Sequence, residues 1–497
     1  MLLSFEVLIL YHIYRQKSLQ MNDNSEKKAK IIIAAAALLL SAVYISLIWN
    51  NNVWMDEAFT ASLVHTDLVH VLERSMADTL PPLYNIILKL MTAAFGYRMP
   101  VMKMTSVLPM ILTLIIGSTT VRKRFGLRTA LLFMMCITLM PLVLYYGVEI
   151  RMYSLGFFFA TASGIYAYEV VCDPSRKNWA AFTVFSVLAG YTHHFAFVTV
   201  AFMYLYLLLY HFFFDRGKIR NWFICLLATF ILYLPCLIVT LKQISRVSGY
   251  FSMPDVDLAM FIQYALYPYN VGVIFASVIC GLFMCTAVFL SVKKIVSDKK
   301  ADKESMFAIW CLLVYYGVLL FGTVISKLMP ANIFVDRYLF FSAGLLWLFA
   351  AIVIGRYNRL FYPAIAAIAV IGICTYCVQF EKEYGNSADE EIAFLRENIK
   401  EGDVFFSIGQ HEDLQNCIPF YTYLDDDTSE LTFVYPLEEA VNASKERNTT
   451  LWIAILDGYD LTGEQKKLLE DWDLSLQKAA DFDFDRYKCT FYKVVTR

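Results

Sequence analysis

The sequence predicts a polytopic α-helical membrane protein that ends in a small soluble α/β domain. Three observations predict it. Hydrophobic residues make up 59% of the chain against 17% charged, with a mean hydropathy of +0.54. Eleven apolar runs are long enough to cross a hydrocarbon core of ~30 Å, or nearly so. Near residue 380 the composition changes abruptly to that of a charged, water-soluble segment.

The runs lie at about 31–49, 104–121, 129–146, 152–171, 179–192, 198–214, 222–241, 271–291, 307–325, 338–355 and 361–379. Cytoplasmic loops collect Lys and Arg, and alternate loops do so here. Lys27, Lys28 and Lys30 precede the first run; Arg122, Lys123, Arg124 and Arg128 follow the second; Arg176 and Lys177 follow the fourth. Arg216, Lys218 and Arg220 come after the sixth, Lys293, Lys294, Lys299, Lys300 and Lys303 after the eighth, Arg356 and Arg359 after the tenth. An eleven-span model puts all of these on one side, so residues 1–30 are expected in the cytoplasm and the C-terminal tail outside it. Met1 to Tyr14 is apolar but too short to span, and it lacks the basic start and small-residue cleavage site of a signal peptide. It reads as an interfacial segment, or as an extension upstream of a true start at Met21.

Residues 31–380 form the expected membrane domain and 381–497 the soluble one. From Glu381 to Arg497 the chain has 26 Asp plus Glu and 12 Lys plus Arg, a net charge of −14, which leaves +12 of the whole-chain −2 on the membrane part. That asymmetry suits a basic-inside body with an acidic outer domain. Asp389 to Asn398 reads as an amphipathic helix and Asp403 to Ile408 as a buried strand. Leu451 to Leu456 is a second strand, Thr462 to Asp471 a helix opened by a Thr N-cap, and Phe491 to Val495 a last strand. Nothing in it matches a Gly-rich phosphate loop. Nine of the eleven cysteines lie within residues 1–379, leaving Cys417 and Cys489 as one conceivable disulfide. The Asn442 and Asn448 sequons matter only in a glycosylating host.

Chemistry collects at the outer span ends. Asp56 and Glu57 follow the first run, an expensive place for acids unless they face a cavity or a partner; the plainer reading is a pair of solvated loop acids. Two amphipathic pieces follow, Glu57 to Met76 and Leu83 to Phe95, separated by Asp78-Thr79-Leu80-Pro81-Pro82-Leu83-Tyr84, where the Pro pair ends one helix and starts the next. They are expected to lie on the membrane as interfacial helices. At the next outer turn, just before Tyr153, Glu149 and Arg151 interrupt about 40 apolar residues. There they serve a site or merely pair with each other. His193 and His194 sit at another outer span end, suiting substrate or phosphate contact, a metal, or plain solvation; two adjacent histidines alone fall short of a zinc site. Arg337 and Tyr338 open the tenth run, and a guanidinium there suits a phosphate or an ion pair with Asp336.

In this order, Asp56-Glu57-Ala58, Asp78 with Pro81-Pro82-Leu83-Tyr84, Glu149-Ile150-Arg151-Met152-Tyr153, Thr192-His193-His194-Phe195 and Arg337-Tyr338 resemble the GT-C fold glycosyltransferases of the protein O-mannosyltransferase and aminoarabinose transferase type. The resemblance covers about residues 31–380. It departs at Leu80, where many relatives carry a basic residue before the double Pro. It implies transfer of one sugar from a polyprenyl-phosphate donor to an acceptor hydroxyl on the outer face, usually with inversion. Asp56 would be the general base, and Glu57 would orient the acceptor or share the charge work. Arg337 and Arg151, with Lys89 and His194 behind them, would meet the leaving phosphate, and Trp54 and Tyr84 would line the sugar pocket. No metal or cofactor is implied beyond the donor, and the partners are the lipid-linked sugar, membrane lipids and an acceptor glycan, lipid or protein, with no nucleic acid. The expected location is the plasma (inner) membrane of a bacterium. A lipid-linked glycan flippase should instead show internal repeats or broken mid-membrane helices, and a non-catalytic assembly protein would leave the carboxylates incidental.

Overall fold

The computed structural model describes residues 26–250, 256–298, 302–329, 332–409, 432–483 and 488–497. The apolar segment Met1–Tyr14, Met21 and Cys417 lie outside the described residues.

A single helix, α1 (Glu26–Ile45), leads to three short helices at one end of the bundle: α2 (Met55–His65), α3 (Leu68–Ala77) and α4 (Leu83–Phe95). The stretch expected as one piece from Glu57 to Met76 is thus two helices. Thr66 is extended, and the Asp67 carboxylate starts the second by accepting from the amides of Val69 and His70, which is ordinary N-capping.

The bundle continues with α5 (Met99–Ile116), a π turn at Gly117–Val121, α6 (Arg122–Leu139), α7 (Val143–Val148), α8 (Tyr153–Cys172), α9 (Arg176–Thr192), α10 (His194–Phe214) and α11 (Ile219–Tyr250). After α12 (Leu258–Leu266) come α13 (Ile274–Asp298), α14 (Lys303–Leu328), α15 (Phe340–Gly355) and α16 (Asn358–Tyr384). Among the described residues, nine helical stretches are long and apolar enough to cross a membrane. The expectation of eleven differs at two places. Met99–Leu139 is a single stretch of 41 residues, but Gly126 at φ 86° breaks it with a kink inside α6, a conformation glycine adopts freely. The helix α9 has 17 residues, about 25 Å of rise, and packs side-on between α8 and α11. The run expected at 129–146 is also not one helix. Pro141 cannot continue the hydrogen-bond ladder, and Leu142 at φ 68° redirects the chain into the short α7.

Two helices form the centre. Every residue of α15 is buried and nearly every residue of α8 is too, as their all-round apolar sequences require. They approach closely: a Cβ on Gly344 would stand 2.0 Å from Thr161 Oγ1. The chain segments leading into these two helices carry Arg151 and Arg337.

Past a break at Gly385, α17 (Ala388–Asn398) begins the tail domain, so the last span runs a few residues beyond 380. The domain's remaining elements are β1 (Val404–Ile408), β2 (Thr432–Phe433), α18 (Leu437–Arg447), β3 (Leu451–Leu456), α19 (Gly463–Asp471), β4 (Leu474–Asp483) and β5 (Lys488–Thr496). The sheet order is β2-β1-β3-β5-β4, with β1 parallel to β2 and β3, and β5 antiparallel to β3 and β4. Thr462 caps α19 as expected, and Gln465 closes its capping box. The elements β2, α18 and β4 have no counterpart in the sequence expectation. Ile392 and Leu395 of α17 belong to the same continuous core as the bundle, together with Phe405, Trp452 and Phe491 of the sheet.

Candidate active site

Asp56 and Glu57 share the first turn of α2, and their side chains do opposite things. Glu57 is buried; its Oε2 accepts from the Trp54 amide at 3.2 Å and its Oε1 from the Ile150 amide at 2.7 Å. Both oxygens are therefore spent holding the start of α2 to the turn before α8. Burial pushes the Glu57 carboxyl above the ordinary range, with the Lys103 ammonium opposing. The Asp56 side chain is 24% exposed, and Arg151 Nη2 and Arg337 Nη2 stand 3.8 and 3.9 Å from its Oδ2.

Arg151 is held from below: its Nη1 donates to Thr60 Oγ1 at 2.6 Å and to the Asp56 carbonyl at 3.1 Å. The alternative in which Arg151 pairs only with Glu149 gives way to this contact with α2. Arg337 lies over the Trp54 ring, 5.7 Å from its centroid, a cation–π arrangement that fixes the guanidinium plane. The Nε of each arginine has no partner among the described residues. Glu149 is buried, and its carbonyl accepts from Ser106, whose hydroxyl lies 2.7 Å from the Tyr84 phenol. Burial pushes the Glu149 carboxyl well above the ordinary range; Glu57 and Asp56 add to this and Arg337 and Arg151 oppose it. Tyr153 is buried with its ring edge-on to Tyr146.

Asp78 lines a small polar cleft with Thr60, Tyr84, Asn85 and Arg151. On the other side, His193 stacks on Phe341 with ring centroids 4.4 Å apart and lies tilted against Tyr338 at 4.6 Å. Its Nδ1 accepts from the Phe195 amide, so the proton sits on Nε2, and burial holds its pKa well below the ordinary value. His194 Nε2 lies 3.3 Å from the Thr79 carbonyl. Both histidines, Tyr338, Thr79, Thr240 and Gln243 are among the residues lining a mostly apolar cavity of about 350 Å³ between α10, α11 and α14.

The clusters from Asp56 to Tyr338, 282 positions apart in sequence, thus converge at one end of the bundle, with one exception. Lys89 donates to the Val64 carbonyl at 3.0 Å, at the far end of α2 from Asp56. A lysine is favourable at a helix C-terminus, and this one stands apart from the arginine pair. Sequence reading missed Lys103 and Glu383, an ion pair at 2.5 Å buried behind Glu57. The signal is a lysine directly before the apolar run at 104–121, a costly position unless the charge is paired.

This architecture is the GT-C fold. The chain matches no family model and no curated protein sequence. Among solved structures it is similar to ArnT from Cupriavidus metallidurans in the apo state, with TM-score 0.61, 11% identity, and coverage of 93% of this chain and 97% of that one. The same ArnT bound to undecaprenyl phosphate matches with TM-score 0.60 at 12% identity, again over 93% and 97%. An Archaeoglobus fulgidus oligosaccharyltransferase complex with Zn and sulfate matches with TM-score 0.50 at 12% identity, over 84% of this chain and 67% of that one.

Proposed function

We propose that the protein is a membrane glycosyltransferase that moves one sugar from a polyprenyl-phosphate donor to an acceptor hydroxyl. The observation that carries this reading is the Asp56 carboxylate set between two guanidiniums, in a fold shared with an ArnT that binds undecaprenyl phosphate. Asp56 takes the proton of the acceptor hydroxyl as its oxygen attacks the anomeric carbon. The anomeric carbon–phosphate oxygen bond breaks, and the electron pair leaves with polyprenyl phosphate. Arg151 and Arg337 offset the charge that builds on that phosphate, the electrostatic contribution that is usually largest in catalysis. One displacement on one face inverts the anomeric centre.

The donor's first prenyl units suit the mostly apolar cavity lined in part by His193, His194 and Tyr338, while Trp54 and Tyr84 wall the sugar. The scheme calls on no cofactor or metal; the two arginines supply the positive charge. Glu57 serves by holding Asp56 in place. The lysine- and arginine-rich loops support an orientation with the N-terminus in the cytoplasm and the acidic tail outside the plasma membrane, and with that orientation the acceptor is a glycan, lipid or protein of the envelope. The test is a panel of undecaprenyl-phosphate monosaccharides offered to the protein in nanodiscs with envelope extract. Protein-dependent release of undecaprenyl phosphate from at least one donor is expected, and release from none overturns the proposal.

A further inference from the structure

The loop that carries the base is anchored to the root of the tail domain. We infer that Lys103, Glu383 and Asn50 are positioning residues for Asp56, linking the seating of the tail domain to the geometry of the base. The inference rests on Asp56 being the proton acceptor.

Lys103 is 1% exposed and Glu383 is 7% exposed. Besides its bond to Glu383, the Lys103 ammonium donates to Asn50 Oδ1 at 2.6 Å, and the second Glu383 oxygen accepts from Gln379 at 2.8 Å. Asn50 passes the constraint along the chain: its Oδ1 also accepts from the Asn52 amide at 3.0 Å, and its Nδ2 donates to the Leu47 carbonyl at 2.7 Å. The carboxamide thereby fixes the bend from which the chain enters α2. Three more bonds tie the same stem to the tail root. Tyr384 donates to the Ser46 carbonyl at 2.7 Å, Asn52 Nδ2 to the Lys382 carbonyl at 2.9 Å, and Asn51 Nδ2 to Asp389 of α17 at 2.7 Å. From Asn52 the chain reaches Trp54, whose amide Glu57 holds, and then Asp56. The base is thus located by α5 through Lys103, by α16 and α17 through the stem, and by the turn before α8 through Glu57.

A buried ion pair that only joins helices is often replaced by apolar residues of similar volume without loss. One that positions a reacting group is not. The experiment compares Lys103→Met/Glu383→Leu, which keeps the volume, with Asn50→Ala, which keeps the ion pair and removes only the link. Hydrogen exchange across residues 47–54 and turnover of undecaprenyl-phosphate monosaccharides are both measured. Both variants are expected to exchange faster there and to lose about tenfold or more in kcat, with KM for the donor within about twofold. Unchanged exchange in folded Asn50→Ala overturns the inference whatever the activity, and so does a kcat within about twofold of wild type. Absence of turnover by the wild type refutes the transferase reading instead, and the exchange result still decides whether the loop is held from the tail root.

Discussion

At the residue scale, two adjacent acids divide the labour by burial. Glu57 has both oxygens on main-chain amides, whereas Asp56 keeps an exposed edge between two arginines. Glu57→Gln preserves the size but removes one acceptor, so one of the Trp54 and Ile150 amides loses its bond. The expected result is a lower kcat with the donor KM nearly unchanged, read from steady-state kinetics. Arg337→Gln is expected to act differently, weakening both undecaprenyl phosphate binding and turnover by about tenfold or more, because a charge-assisted contact to phosphate is lost. The residue types were legible in the sequence: acids and arginines at span ends are costly, and that cost signals use. Their partners were not. That Arg151 reaches Asp56 and Thr60 of α2, that Lys89 turns away to Val64, and that Lys103 backs the site all depend on how helices distant in sequence pack.

At the element scale, apolar runs located the spans because burial in lipid demands about 20 apolar residues per crossing. Breaks were less legible. Pro141 and the Thr66-Asp67 pair carry ordinary stop and cap signals, but an unbroken apolar composition hides the first and helical periodicity hides the second. The close approach of α8 and α15, the helices that follow Arg151 and Arg337, depends on Gly344. In Gly344→Ala the new methyl would strike Thr161, which is itself fully buried. Overpacking of about 1–3 kcal/mol is expected, seen as a lower apparent Tm in nanodiscs and a fall in turnover.

At the scale of the whole molecule, the tail shares a core with the bundle through α17. Composition disclosed that a separate acidic domain exists, yet it carried no sign of this attachment, since the residues involved read as an ordinary amphipathic helix. Within α17, Glu391 is fully buried, neither carboxylate oxygen has a partner among the described residues, and burial pushes its pKa up to about 8. The sign follows from linkage: the folded state prefers the protonated acid, so stability is full below the ordinary pKa near 4.5 and is lost as pH rises toward 8. Glu391→Gln is therefore expected to raise the Tm at pH 7.5, with the advantage disappearing near pH 4. Topology has its own check: a cysteine replacing Tyr459, exposed in the tail, is expected to react with a membrane-impermeant maleimide on intact spheroplasts.

The central claim is that Asp56 accepts the acceptor's proton. The most direct measurement compares wild type and Asp56→Asn, each folded in nanodiscs, for undecaprenyl phosphate binding and for sugar transfer from the undecaprenyl-phosphate donor the wild type uses. A loss of transfer of about 10²-fold or more, with binding of undecaprenyl phosphate retained, is the result expected. Full transfer by folded Asp56→Asn would contradict the account.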